Sequence, residues 1–142
     1  MKKRSVLIIS AVIVIVCIIF AVRYGFKEFN RTAVNLENKE ADISATVPSV
    51  LAEFQADENA ANAKYLDKVI QVKGKIAEVK KDDHGAVKLS FESDDAMATV
   101  IFEMDPSVAD KVLALQPQTE VVVKGICTGS TGDVICTRGV IK

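Results

Sequence analysis

Any chemistry in this 142-residue chain would have to come from a handful of side chains. There is one histidine, His84, preceded by Asp82 and Asp83, and there are three cysteines, Cys17, Cys127 and Cys136. A metal site needs three or four ligands held in geometry, whereas a histidine and two acids ahead of a glycine are ordinary turn chemistry. No metal and no cofactor are expected there. Ser, Thr and Asp are plentiful, yet without a second histidine no nucleophile–base–orienter set can be assembled, and catalysis is not expected. Cys127 and Cys136 flank a turn expected at residues 129–133. If they face each other across it, the pairs 125–138 and 123–140 follow, and both sulfurs lie on one face. Opposed strand positions bring Cα atoms about 4.5–5.5 Å apart, within disulfide range. A structural hairpin disulfide is one expectation; two reduced, buried thiols are the alternative. A redox-enzyme pair fits less well, because such cysteines normally lie two residues apart at a helix start.

The N-terminal stretch imposes a different chemistry. Residues 6–22 are an apolar run interrupted only by Ser10 and preceded by Lys2, Lys3 and Arg4. As a helix the run spans about 25 Å, at the short end for a hydrocarbon core of about 30 Å. Tyr24 and Phe26 extend the apolar face, with Arg23 and Lys27 snorkelling outward. A single transmembrane helix, an uncleaved signal-anchor, is expected, with Cys17 as an ordinary apolar side chain within it. Cleavage after Ala21 would leave Ile19 where a small residue is required, and Val14-Ile15-Val16 is too bulky ahead of Cys17 for a lipoprotein signal. Lys2, Lys3 and Arg4 on one flank nearly cancel Arg23, Lys27 and Arg31 on the other as a topology signal. The short charged tail favours a cytoplasmic N-terminus. The domain is then expected on the periplasmic, extracytoplasmic side of the cytoplasmic (inner) membrane.

Charge is divided along the chain. Residues 1–31 carry 6 Lys+Arg against 1 acid, and residues 48–142 carry 11 Lys+Arg against 15 Asp+Glu. A mildly acidic domain is a poor generic binder of phosphate backbones, which need positive charge to release counterions.

These features divide the chain into an anchor with flanks at 1–30, a polar stalk at 31–46 and a domain at 47–142. Thr46 offers an N-cap, Pro48 lies in the first turn, and Val47, Val50, Leu51, Phe54 and Ala61 recur at helical spacing, predicting one amphipathic helix over 48–64. The period then changes to two. Strands are expected at 69–80, 86–92 and 98–104, then a short helix capped by Asp105, then strands at 119–128 and 134–141. Gly74 and Gly125 interrupt the first and fourth strands where a barrel strand must bend. The order β-β-β-α-β-β with these kinks predicts a mainly β domain, a five-stranded Greek-key OB-fold barrel preceded by an amphipathic helix.

Two stretches resemble a bacterial OB family, tRNA_anti-like: residues 57–76, DENAANAKYLDKVIQVKGKI, and residues 121–141, VVVKGICTGSTGDVICTRGVI. The first joins an Asn- and Ala-rich helix end and a Tyr to a Val-x-Gly-x-Ile strand. The second has Gly-x-Cys-x-Gly, then Gly-Asp-Val and a closing strand. The resemblance covers residue 47 to the C-terminus and implies fold more than function. Membrane-anchored OB haem chaperones have a similar architecture but depend on a C-terminal histidine, and this chain has none there.

OB domains that bind nucleic acid present outward aromatic rings on strands two and three inside a basic groove. Here Phe91 and Phe102 share parity with Val87, Leu89, Val100 and Met104 and point inward. The outward positions, and so the candidate binding face, are Lys88, Ser90, Glu92, Thr99, Ile101 and Glu103. With neither rings nor net positive charge there, nucleic acid is the less expected partner. An envelope protein, peptide or glycan is preferred, and a single-stranded nucleic acid is the alternative.

Overall fold

The computed structural model describes residues 13–22, 36–95 and 97–142. The chain divides into two units, Met1–Asn35 and Leu36–Lys142. In the first, residues 13–22 are helical, and Ile13, Ile15, Ile18 and Phe20 are each more than half exposed. That stretch is about 15 Å long, half of a hydrocarbon core. Among the described residues no helix is long and apolar enough to cross a membrane. Residues 6–12 of the expected span, and its flanks, lie outside the described residues.

The second unit is mainly β. Its elements are β1 (Ile43–Thr46), α1 (Val47–Ala56), α2 (Glu58–Tyr65), β2 (Val69–Lys81), β3 (Val87–Phe91), β4 (Val100–Met104), α3 (a 3-10 turn Pro106–Val108 running into Ala109–Leu113), β5 (Glu120–Thr131) and β6 (Asp133–Ile141). The strands follow the order β1-β2-β3-β4-β6-β5, and a further pairing of β2 with β5 closes β2 to β6 into a five-stranded, OB-like barrel. The expected fold class holds to that extent.

Closure depends on β2 serving two neighbours. Val69–Lys75 pair with β5, and Ile76–Lys81 pair with β3. The change of partner falls beside Gly74, where a Cβ would stand 2.7 Å from Val47 Cγ2 and 2.8 Å from Phe91 Cδ1. No side chain fits where the strand folds over the core. Gly125 is just as confined: a Cβ there would lie 2.8 Å from Phe102 Cε1 and 2.9 Å from the Thr137 carbonyl oxygen. Inside, Val87, Leu89, Phe91, Val100, Phe102 and Met104 are all buried, with Phe91 and Phe102 edge-to-face at 5.9 Å. The parity expected from the sequence places them correctly.

Three expectations are corrected. The polar stalk does not extend to residue 46. From Leu36, which is 2% exposed, the chain belongs to the domain, and β1 pairs in parallel with β2, Ile43 opposite Ile70. The physical reason is the split partnership of β2: β3 covers only its second half, so the edge of its first half is open to β1. Asp42 fastens the junction, its carboxylate accepting from the Val69 N–H at 2.9 Å and its own N–H donating to the Val69 carbonyl at 2.8 Å. Lys124, 6% exposed, donates from Nζ to the carbonyls of Glu37 and Lys39 at 3.2 and 2.6 Å.

The helix expected over 48–64 is two helices. Asp57 takes an extended conformation between them, and its side chain accepts the Ala60 N–H as the N-cap of α2. A strong N-capping residue inside an apolar-periodic run restarts the helix and redirects it. Phe54 and Tyr65 then stack at 5.7 Å, and Lys64 pairs with Glu53 at 2.7 Å. The last hairpin is also tighter than a 129–133 turn. β5 continues to Thr131, and Gly132, at φ 97°, turns the chain.

Gly125→Ala is expected to destabilise the domain by about 2 kcal/mol, because the opposing backbone oxygen cannot yield; a fall in the urea midpoint checks this. Lys124→Met, which keeps the stem but deletes both hydrogen bonds to the carbonyls, is expected to speed tryptic cleavage after Lys39 by about tenfold.

Candidate ligand-binding face and buried thiol pair

The six residues of the expected binding face do not form one surface. Lys88 lies opposite Glu103 and Ser90 opposite Ile101 on paired β3 and β4. On either side the rows continue to Glu78 and Lys80 of β2 and to Ile135 of β6. The two lysines on this sheet face are paired with acids: Lys80 with Glu78 at 2.7 Å and Lys88 with Asp82 at 3.6 Å.

Glu92 and Thr99 lie beyond the paired rungs and belong to a different feature. The Glu92 N–H donates to the Lys75 carbonyl at 2.8 Å. The Thr99 hydroxyl donates to the Phe91 carbonyl at 2.5 Å, and its N–H donates to the Asp133 carboxylate at 2.9 Å. These bonds hold the β3–β4 connection against the β5–β6 turn and leave an open cleft of about 900 Å³ beside Gly74 and the start of α1. Four carboxylates line it, Glu92, Asp94, Asp95 and Asp133, against one ammonium, Lys75. Asp95 is tied down by the Met97 N–H at 2.8 Å and by Gln55, and Glu92 accepts from Gln118. Met97, also in the lining, is 86% exposed. In the sequence these residues fall between the strands expected at 86–92 and 98–104, and the available signal is two consecutive acids with a methionine two positions on. Only the fold shows that Asp94, Asp95 and Met97 line a cleft.

His84 and its two acids form a turn. The Asp82 carboxylate accepts the backbone N–H groups of Ala86 and His84 at 2.9 and 3.0 Å, and the Ala86 bond foremost holds its pKa below the usual carboxylate range. Among the described residues no group of three His, Cys, Asp or Glu is placed to hold a metal ion.

Cys127 and Cys136 are paired in register, and both are fully buried. Each carries a free thiol, and the neighbouring Cys136 side chain foremost lowers the pKa of the Cys127 thiol to about 7. The Cys127 N–H donates to the Lys68 carbonyl at 3.1 Å, and its carbonyl accepts the Asp67 N–H at 2.9 Å. The pairs expected alongside, 125–138 and 123–140, are not formed. Lys124 faces Val140 and Val123 faces Ile141, because the register shifts by one residue between Lys124 and Ile126. Arg138, at φ 56°, lies at that shift. Cys17 is exposed on the helix of residues 13–22.

Solved structures are similar to this chain to different degrees, and the first shares its fold. A candidate nucleic acid-binding lipoprotein from Klebsiella pneumoniae superposes with a TM-score of 0.58 at 14% identity, over 73% of this chain and 99% of its own. The S. pombe Stn1-Ten1 complex gives 0.41 at 22% identity, over 52% and 57%. Yeast Stn1 and Ten1 give 0.42 at 14% identity, over 74% and 64%. No curated protein matches the chain. The profile of the tRNA_anti-like family matches residues 1–140, nearly the whole sequence and both of the stretches that resemble it. The chain is a member of the tRNA_anti-like family.

Proposed function

We propose that this protein is a non-catalytic binding module of a bacterial cell envelope, anchored in the cytoplasmic membrane by residues 6–22 with its barrel on the outer side. The observation that carries the reading is the open cleft beside Gly74, reached by the exposed Met97 side chain. Its four carboxylates favour a lysine- or arginine-bearing segment of an envelope protein or peptide over a polyanion, since like charges across an interface cost affinity. A neutral glycan, also expected from the sequence, carries no charge that would select this lining. The described part of the N-terminal helix supports the anchor: its large apolar side chains are exposed, as lipid-facing side chains are.

A second reading, single-stranded nucleic-acid binding, is favoured by the barrel shared with the Klebsiella lipoprotein. The paired lysines and acids of the β3–β4 face, and the burial of Phe91 and Phe102, weigh against it here.

A photoreactive residue at position 97 of the full chain is expected to give a discrete protein adduct in intact cells, weakened about fivefold by Asp94→Lys. The same adduct from position 111, outside the cleft, or an adduct indifferent to Asp94→Lys, would sink the reading. Retention of the purified chain on single-stranded oligonucleotide, lost steeply with salt, would replace it with the second. Deletion of residues 1–22 is expected to move the protein from the membrane fraction to the soluble fraction; persistence in the membrane after alkaline washing would refute the anchor.

A further inference from the structure

We infer that Cys127 and Cys136 are a disulfide site, oxidised while the barrel is closing and shielded from thiol exchange once it has closed. Register is the first support. The two residues face each other directly across β5 and β6, between two shifts of register, one after Lys124 and one after Cys127. Antiparallel neighbours come in two kinds, and the backbone bonds of Cys127 decide which this is. Its N–H and carbonyl are both engaged with Lys68 and Asp67, on the side away from β6. The pair is therefore non-hydrogen-bonded toward β6, the kind with Cα atoms about 4.5 Å apart and side chains in closest approach. A disulfide spans Cα separations of about 4.4–6.8 Å, so the bond can form without moving either strand.

The second support is burial. Both side chains are fully inaccessible, and Gly129, two residues further along β5, lies close to Asn62 of α2 and to Leu66 just after it. An oxidant cannot reach either sulfur unless the hairpin opens. Oxidation therefore belongs to the folding chain, and the finished bond is out of reach of small thiols.

The chemistry needs a disulfide as oxidant, either glutathione disulfide or the disulfide of a thiol oxidoreductase. In the open hairpin the thiolate of one cysteine attacks one oxidant sulfur and expels the other as a thiolate, leaving a mixed disulfide. The second cysteine then loses its proton to the expelled thiolate and attacks the first cysteine's sulfur, releasing the second oxidant thiolate. Two protein thiols become one disulfide and one oxidant disulfide becomes two thiols.

The test uses the full chain with Cys17→Ala, in detergent, to remove intermolecular pairing. Reduced and unfolded protein is refolded in a glutathione redox buffer, and remaining thiols are alkylated and mapped by mass spectrometry. Both thiols should disappear together into an intramolecular bridge that raises the melting temperature by about 10 °C over the reduced form. The same buffer added to folded, reduced protein should act at least about 100-fold more slowly. Two alkylatable thiols after oxidative refolding would overturn the site, as would a bridged form that melts below the reduced one. Equal rates for folded and unfolded protein would overturn the timing. Cys127→Ala and Cys136→Ala should each show the same melting temperature in oxidising and reducing buffer, and a rise in either would assign the gain to something other than the bridge.

Discussion

One strand has to be in two sheets at once, and the rest of the domain is arranged around that demand. β2 pairs with β5 along its first half and with β3 along its second, so it must bend across the core without leaving a gap. The bend is possible because the position beside it has no Cβ: Val47 from α1 and Phe91 from β3 occupy the space a side chain would need. The same close approach places the start of α1 against the barrel and forms one wall of the cleft. Core packing, barrel closure and the shape of the cleft thus depend on a single backbone position.

The divided strand has a second effect. Its first half keeps an unpaired edge, and unpaired backbone groups on a sheet are costly unless covered. β1 covers them, and Lys124 holds the preceding segment by its carbonyl oxygens. A buried ammonium engaged by carbonyls is stabilised by charge–dipole bonds and costs little only while those bonds persist. The approach to the barrel from the N-terminal side is therefore a fixed part of the domain from Leu36 onward.

Around the cleft, hydrogen bonding and charge act together. Asp133 holds the backbone of Thr99, and Thr99 holds the carbonyl of Phe91, so the β3–β4 connection is braced between two strands. Asp133 and the other three carboxylates of the lining also set the sign of the potential in the cleft.

Periodicity alone determined much of the fold. Alternation placed Val87, Leu89, Phe91, Val100, Phe102 and Met104 inside, the glycines at 74 and 125 marked the confined strand positions, and a turn between Cys127 and Cys136 left them able to face each other. These are properties of single strands and their nearest turns, where the side-chain period is fixed at two. The candidate site was only half legible, since Lys88, Ser90, Ile101 and Glu103 share a face while Glu92 and Thr99 line a cleft with residues 93–95, 97–98 and Asp133. That distinction needs contacts between segments far apart in sequence. The same holds for β1, whose four residues become a strand only because β2 leaves an edge open, and for the register slip at Arg138, which a pattern in one strand cannot reveal. Local period is written residue by residue, but which edges remain unpaired and which loops meet is decided only when the barrel closes.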